Sequence, residues 1–185
     1  MCIFQHIMYL SQLYKPAVSK VKKSRAIGAG PILVSPYGFF DGAAANGYGG
    51  AGFCLFLSES HSYEFALGDS SCTNTKAELI ALWALLYVTL LMGIPKMNIF
   101  GDSAVIISWE KGITALNPPA LSDWCMDTRR LISCFHHLSF SHIFREHNQL
   151  ADRLSKSVLT LALGCGKYSE FIEGLLVSHD TFHLF

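Results

Sequence analysis

The chain has 185 residues, of which 51% are hydrophobic and 15% are charged, and its formal net charge is zero. This length accommodates one domain with a sizeable core, and the hydrophobic content excludes a disordered protein. With no net charge, a role in nucleic-acid binding would have to depend on a local patch. The six cysteines include no C-x-x-C pair, which argues against a zinc site. They favour reduced thiols and a cytoplasmic or nuclear location.

Residues 1–36 show no clear pattern, and we interpret them as a poorly ordered leader and linker before a domain that spans residues 37–163. Met1–Leu13 is apolar but lacks the basic start and the small-residue cleavage site of a secretory signal. Ile27–Pro36 has the glycine and proline content of a linker. The leader also carries a small basic cluster: Lys15, Lys20, Lys22, Lys23 and Arg25. Short charged runs are typically solvated, and the alternative is an arm that contacts phosphates.

Three strand-like segments follow the linker, at Tyr37–Phe40, Phe53–Ser58 and Tyr63–Leu67. Aromatic and β-branched residues favour strands, and short polar turns separate the three segments. The first connection has Asn46-Gly47 near its centre, the dipeptide that tight hairpins prefer. The sequence therefore predicts an antiparallel meander.

A long apolar helix is predicted to begin at about Thr75 and to stop at Gly93. Thr75-Lys76-Ala77-Glu78 matches the S/T-x-x-E capping box, and a glycine commonly ends a helix. The stretch Ala77–Ile94 is nearly long enough to span a membrane. A charged residue in its first turn and its position among strand-like segments favour a buried helix.

The second half of the chain alternates strands with helices. The predicted segments are a strand at Met97–Phe100, a helix at Ala104–Lys111, a helix at Ser122–His137, a strand at Leu138–Phe144 and a helix at about Gln149–Leu163. Residues 164–185 have no period and are predicted to be a loosely held tail. Strand–helix–strand units imply parallel pairing. The predicted fold is α/β, with a mixed five-stranded sheet and helices on both faces.

Four acidic residues share one kind of position in this scheme: Asp41, Glu78, Asp102 and Asp152. Two of them end strands and two lie in the first turns of helices, so all four are expected at the edge of the sheet where open α/β sheets bind ligands. Taken singly, each has an ordinary structural explanation as a turn or helix-cap residue. Acids that converge in apolar surroundings need cations, and oxygen ligands select Mg²⁺ or Mn²⁺.

Five short motifs, in a fixed order over residues 37–160, resemble the type 1 ribonuclease H family. The closest likeness is to the plant reverse-transcriptase-like ribonuclease H domains of non-LTR retroelements. The motifs are Asp41-Gly42-Ala43, Gly49-Gly50-Ala51-Gly52, Thr73-Asn74-Thr75-Lys76-Ala77-Glu78-Leu79, Gly101-Asp102-Ser103 and Arg145-Glu146-His147-Asn148-Gln149-Leu150-Ala151-Asp152-Arg153-Leu154-Ser155-Lys156.

The resemblance implies two-Mg²⁺ hydrolysis of the RNA strand of an RNA–DNA hybrid by a monomer, leaving 3′-hydroxyl and 5′-phosphate ends. Asp41 would bridge both ions, Glu78 and Asp102 would complete one metal site, and Asp152 would complete the other. A structure should then place the four carboxylates within about 10 Å of each other, since two ions share the site. A non-catalytic nucleic-acid-binding remnant of the same fold is the alternative.

The resemblance also implies a set of nucleic-acid-binding residues: Gly42, Asn46, Asn74, Arg145 and Asn148. Gly42 and Asn46 would meet the minor groove, although both also suit a turn. Arg145 stands where many members of the family carry a histidine, and an arginine can hold a phosphate but cannot shuttle protons. We interpret His142 as a packing or surface residue and His147 as a weak candidate for the missing histidine.

Overall fold

The computed structural model of the protein describes residues 31–70, 72–116 and 119–184. The basic cluster and nearly all of the predicted leader lie outside these residues. The strands are β1 (Tyr37–Ala45), β2 (Tyr48–Phe56), β3 (His61–Ser70), β4 (Lys96–Gly101), β5 (His137–His142), β6 (Cys165–Ile172) and β7 (Leu175–His183). The helices are α1 (Asn74–Leu91), α2 (Ala104–Glu110), α3 (Ser122–Ser133) and α4 (Gln149–Lys156).

One sheet contains all of these strands, in the spatial order β5-β4-β1-β2-β3-β6-β7. β1, β2 and β3 form the predicted antiparallel meander, whereas β4 pairs in parallel with β1 on one side and with β5 on the other. Asn46 and Gly47, with φ of 53° and 82°, form the turn between β1 and β2, as expected for a tight Asn-Gly hairpin. The predicted mixed α/β architecture is therefore confirmed.

Helix α1 is the central helix of the core. Thr73 caps it, because the Thr73 hydroxyl accepts a hydrogen bond from the Lys76 N–H at 3.3 Å. The helix packs against β1, β2 and α3. It has the length and hydropathy of a membrane-spanning helix, yet 56% of its residues are buried inside the protein. This packing favours the interpretation of α1 as a buried core helix.

Helix α4 lies on the opposite face of the sheet from α1, and glycines allow both helices a close approach. A Cβ atom on Gly42 of β1 would lie 2.0 Å from the backbone nitrogen of Glu78 in α1. A Cβ atom on Gly52 of β2 would lie 2.3 Å from the backbone nitrogen of Ser155 in α4. Since successive residues of a strand face opposite sides, Asp41 faces α4 while Gly42 faces α1.

The C-terminal segment differs from the sequence prediction, which ends the last helix at about Leu163 and leaves a tail. Helix α4 ends at Lys156, and β6 and β7 extend the sheet from five strands to seven. The inward-facing positions of β6 are Gly166, Tyr168 and Glu170. Only one of these is apolar, so the alternation typical of a strand is hidden in the sequence.

A buried polar contact and an aromatic contact attach β6 and β7 to the sheet. Glu170 is 4% exposed and accepts a hydrogen bond from the Tyr63 hydroxyl of β3 at 2.7 Å. The imidazole of His61 lies 2.9 Å from the same carboxylate oxygen. Phe182 of β7 packs edge-on against Phe65, with 6.3 Å between the ring centroids. The hairpin is thus part of the core.

Candidate active site

The ends of β1 and β4 bring two of the predicted acids side by side. Phe40 of β1 is paired with Gly101 of β4. Asp41 directly follows Phe40 and Asp102 directly follows Gly101, so the two acids lie next to each other at the ends of neighbouring strands. Asp41 is 8% exposed, and one of its carboxylate oxygens accepts a hydrogen bond from the Ser155 hydroxyl at 2.7 Å. The strand pairing fixes the backbone of both acids, and helix α4 fixes the side chain of Asp41.

Glu78 reaches the same place from the other face of the sheet. It lies in the first part of α1, where the lack of a side chain on Gly42 lets the helix approach β1. The Ser103 hydroxyl donates a hydrogen bond to Glu78 Oε2. The same oxygen of Ser103 accepts from the Ile106 N–H at 3.4 Å and so caps α2. One hydroxyl therefore connects Glu78 to the residue that follows Asp102.

Asn148, immediately before α4, holds the two acid-bearing strands together. Its side-chain nitrogen donates to the Phe40 carbonyl oxygen at 2.9 Å and to Asp102 Oδ1 at 2.6 Å. The residue is 1% exposed, so its amide faces the interior. The predicted contact of Asn148 with nucleic acid stays a prediction, and in the structure its amide positions Asp102.

Asp152 carries two cationic partners of its own. Arg145 Nη2 lies 2.6 Å from Asp152 Oδ1, and Lys156 Nζ lies 2.7 Å from Asp152 Oδ2. The Arg145 side chain is 71% exposed and the Lys156 side chain is 51% exposed. Both cations therefore lie at the rim of the acid cluster, where each is within reach of solvent and of a bound anion.

The electrostatics of the site show that the acids are close enough to influence one another. The pKa of Asp41 is raised to about 6, mainly by burial and also by the charges of Asp102 and Asp152, while the Ser155 hydroxyl acts in the opposite direction. Burial likewise raises the pKa of Glu78 to about 7, with contributions from the charges of Asp41 and Asp102 and an opposing one from the Ser103 hydroxyl. Loss of hydration on burial is the main physical reason, and repulsion between neighbouring carboxylates adds to it.

Asp152 behaves differently from the two buried acids. Burial alone would raise the pKa of its carboxyl group, but the hydrogen bonds and positive charges of Lys156 and Arg145 prevail and lower it. Asp152 is thus ionised where Asp41 and Glu78 hold their protons more tightly. The structure brings all four predicted acids to one end of the sheet, with two distinct electrostatic environments among them.

The other four residues predicted to contact nucleic acid take four different positions. Asn46 is exposed at the tip of the β1–β2 hairpin. Asn74 accepts a hydrogen bond from the Ala44 N–H at 3.0 Å through its side-chain oxygen, so it ties β1 to the start of α1. Gly42 packs under α1, and Arg145 points to solvent beside Asp152. The side chains of Asn46, Asn74 and Arg145 are exposed, and of these Asn74 is engaged by the Ala44 N–H and Arg145 by Asp152.

Two histidines lie near the site, His142 at the end of β5 and His147 between β5 and α4. His142 is exposed, and its Nε2 atom lies 3.2 Å from the Asp102 carbonyl oxygen. His147 Nε2 lies 3.8 Å from Glu146 Oε1. His142 therefore occupies a surface position, one of the two alternatives that the sequence leaves open, and its imidazole contacts the backbone of Asp102.

Three residues that support the acids were not identified from the sequence. They are Ser103, Ser155 and Lys156. A signal was present for Lys156, because it lies four residues after Asp152, the spacing at which helical side chains meet. No such spacing connects Ser155 with Asp41, which lies 114 residues away in the chain. Ser103 carries no such signal, since its contact with Glu78 depends on how α1 and α2 pack.

The donor set fits a hard divalent cation. Carboxylate oxygens are the ligands that Mg²⁺ and Mn²⁺ prefer. The raised pKa values of Asp41 and Glu78 reflect burial first and repulsion second, and a bound cation would favour the ionised carboxylates against both. In residues 31–70, 72–116 and 119–184, no three His, Cys, Asp or Glu side chains form a ready-made ligand cluster. The carboxylates are instead engaged by protein donors, which a cation would have to displace in part.

The fold defines the class of protein, a ribonuclease H-like domain. The structure superposes on ribonuclease H1 from the halophilic archaeon Halobacterium salinarum with a TM-score of 0.59 and 26% sequence identity, covering 67% of this chain and 96% of that one. It also superposes on LC11-RNase H1, solved in complex with an RNA/DNA hybrid, with a TM-score of 0.60 and 23% identity over 66% of this chain and 95% of that one.

The sequence assigns the family within this class. A family model described as reverse transcriptase-like matches residues 20–158, which is more than half of the chain. The protein therefore belongs to the reverse transcriptase-like family, and the resemblance inferred from its motifs is confirmed. The sequence matches none of the curated proteins compared with it. The hairpin formed by β6 and β7 lies beyond the matched region.

Proposed function

We propose that the protein is a divalent-metal-dependent ribonuclease that hydrolyses the RNA strand of RNA–DNA hybrids. The observation that carries the proposal is the convergence of Asp41, Glu78 and Asp102 at one edge of the sheet, where the charge of Asp102 contributes to raising the pKa values of both Asp41 and Glu78. Like charges in a buried cluster cost stability without an evident structural return, which is typical of a functional site. The ribonuclease H fold and the hybrid bound to LC11-RNase H1 support the choice of substrate.

Asp41, Glu78, Asp102 and Asp152 are the residues that would hold the metal ions. Bound ions would supply a water nucleophile and stabilise the leaving oxygen of the phosphodiester. The protein itself supplies positioning. Three neutral side chains, Ser103, Ser155 and Asn148, donate hydrogen bonds to Glu78, Asp41 and Asp102 respectively. They hold the carboxylates in place without adding charge.

Arg145 and Lys156 would serve the substrate. Both are exposed at the rim and both are paired with Asp152. An arginine binds phosphate oxygens through two parallel hydrogen bonds, and a lysine binds them as a point charge. As the nucleic-acid backbone approaches the acids, these cations offset the repulsion between phosphate and carboxylate.

The test is a cleavage assay on labelled RNA–DNA hybrid, with Mg²⁺, with Mn²⁺ and with EDTA, beside RNA–RNA and DNA–DNA duplexes of the same sequence. Asp41→Asn is the informative variant, and Asp123→Asn, an exposed aspartate in α3, is the matched control. We expect metal-dependent cleavage of the hybrid alone, lost in Asp41→Asn and retained in Asp123→Asn. Absence of cleavage by the wild type, or equal cleavage by Asp41→Asn, would overturn the proposal.

A second candidate is a nucleic-acid-binding domain without catalysis. It is favoured by the hydrogen bonds and ion pairs that engage the carboxylates and by the lack of a ready-made ligand cluster among the described residues. Titration calorimetry with Mn²⁺ separates the two. If the wild type binds Mn²⁺ and Asp41→Asn does not, the result supports the ribonuclease. If the wild type binds the hybrid but takes up no Mn²⁺, the result supports the second candidate.

A further inference from the structure

Phe144 is a large apolar side chain held out into solvent beside the acid cluster. It lies between β5 and α4 and is 71% exposed. Its backbone is well anchored on both sides. The preceding residue, Ile143, is 5% exposed, and its N–H donates to the Gly101 carbonyl oxygen at 3.0 Å. The Phe144 carbonyl oxygen accepts from the His147 N–H at 2.8 Å. The ring therefore projects from a fixed position.

The neighbours of Phe144 belong to the candidate active site. Its ring meets the imidazole of His142 edge-on, with 6.3 Å between the centroids, and that imidazole lies 3.2 Å from the Asp102 carbonyl oxygen. The next residue, Arg145, is paired with Asp152. An exposed aromatic ring thus stands between contacts to two of the four acids.

An exposed phenyl ring contributes little to the core, and exposed apolar groups beside a polar site often mark a binding surface. Nucleic-acid sites combine cations that contact phosphates with apolar groups that contact the nucleotides. In a base-paired hybrid the bases are stacked inside, and the sugars are the apolar surface that each strand presents outward. The pairing of Phe144 with Arg145 matches this arrangement of sugar and phosphate along a strand.

We propose that Phe144 packs against the sugar of a nucleotide next to the phosphate that Arg145 contacts, and so helps to place the hybrid over the acids. This inference rests on the proposed function. The ring would add affinity without taking part in the chemical step. Removing about 50 Å² of apolar contact corresponds to a loss of affinity of about five- to tenfold.

The experiment measures hybrid binding by fluorescence anisotropy. The parent chain carries Asp41→Asn, which removes the central acid and so prevents cleavage, and it is compared with the same chain that also carries Phe144→Ala. Phe144→Trp tests rescue, and Leu176→Ala, at the far hairpin and 53% exposed, is the control. We expect Phe144→Ala to weaken hybrid binding about five- to tenfold, Phe144→Trp to restore it, and Leu176→Ala to leave it unchanged. In the cleaving chain, Phe144→Ala should raise KM and leave kcat unchanged.

The outcomes separate the two proposals. If neither the wild type nor the Asp41→Asn parent binds the hybrid, the proposed function fails and the contact of Phe144 fails with it. If the parent binds and Phe144→Ala binds equally well, only the role of Phe144 is overturned. A loss seen with single-stranded RNA but not with hybrid would also overturn it, because the ring would then be stacking on unpaired bases. A fall in kcat at unchanged KM would indicate a structural effect on the acids instead.

Discussion

Asn148 joins the end of β1 to Asp102 through a single buried amide, 2.9 Å from the Phe40 carbonyl oxygen and 2.6 Å from Asp102 Oδ1. Phe40 immediately precedes Asp41, so this amide controls the separation of the two strand-end acids. A hydrogen bond to a charged group is worth about 1.5 to 3 kcal/mol. Asn148 is therefore both a structural residue and the support of the candidate active site.

Replacement of Asn148 by Ala should lower the free energy of unfolding by about 2 to 3 kcal/mol, because the Phe40 carbonyl and Asp102 lose a buried donor. Urea denaturation at neutral pH measures the change. Asn46→Gly is the control, since Asn46 is exposed with φ of 53°, a conformation that glycine adopts freely. An Asn148→Ala protein as stable as the Asn46→Gly protein would contradict the positioning role.

The stability of the metal-free protein should fall as the pH rises from about 4 to about 8. The pKa of Asp41 is raised to about 6 and that of Glu78 to about 7, so the folded state binds these protons more tightly than the unfolded state does. Their favourable contribution is complete below the ordinary carboxyl pKa and is lost as the pH passes through 6 and 7. In EDTA, the free energy of unfolding of Glu78→Gln should fall by about 2 kcal/mol less than that of the wild type over this pH range.

Denaturation across that pH range, with Glu173→Gln as the control, checks this prediction. Glu173 is exposed at the turn between β6 and β7. Glu78→Gln should be more stable than the wild type at pH 8 and should differ little from it at pH 4. If the stability of the wild type and that of Glu78→Gln changed in parallel with pH, the pKa of the Glu78 carboxyl would not be raised.

Gly42→Ala should destabilise the protein by about 3 kcal/mol or more and disrupt the site. The added Cβ would lie 2.0 Å from the backbone nitrogen of Glu78, and backbone of a packed helix gives way only at such a cost. Gly174→Ala isolates the conformational effect of losing a glycine, because Gly174 has φ of 75° and open space around its Cα. The free energy of unfolding of Gly174→Ala should be lower than that of the wild type by about 1 kcal/mol. Thermal unfolding of both variants measures the difference.

The sequence predicts the meander and the core helix α1 because each depends on a local pattern, whereas the four acids are singled out by the order of motifs that resemble the ribonuclease H family. Asn46-Gly47 specifies a turn by its own backbone preference, and the apolar run of α1 is long enough to be unambiguous. The supporting contacts of the site depend on tertiary packing. Ser103 meets Glu78 only because Gly42 lets α1 approach β1, and no spacing in the sequence reveals that.

The hairpin of β6 and β7 was missed for a related reason. Glu170 occupies an inward position, where its carboxylate is hydrogen-bonded by Tyr63 from a distant strand. Gly166 occupies another inward position, where the ring of Phe182 covers it. A polar and a side-chain-free residue at buried positions break the alternation on which strand prediction depends, and the partners that make them acceptable lie elsewhere in the chain.

Phe182→Ala should therefore lower the free energy of unfolding of the whole domain by about 3 kcal/mol. The Phe182 side chain is 6% exposed, lies directly across from Gly166 and packs edge-on against Phe65 of β3. Removing the ring leaves a cavity, which Gly166 cannot fill because it has no side chain and which the strand backbone cannot move to fill. Leu176→Ala, on the same strand and 53% exposed, should cost less than about 0.5 kcal/mol.

Urea denaturation followed by circular dichroism and by tyrosine and tryptophan fluorescence distinguishes a core hairpin from an appended one. If β6 and β7 belong to the core, both signals of Phe182→Ala shift together to lower urea in a single transition, because Tyr63 and Tyr168 lie in the affected region. A separate early transition with an unchanged main midpoint would mean that the hairpin unfolds independently. Equal midpoints for Phe182→Ala and Leu176→Ala would mean that the contact with Phe65 does not stabilise the sheet.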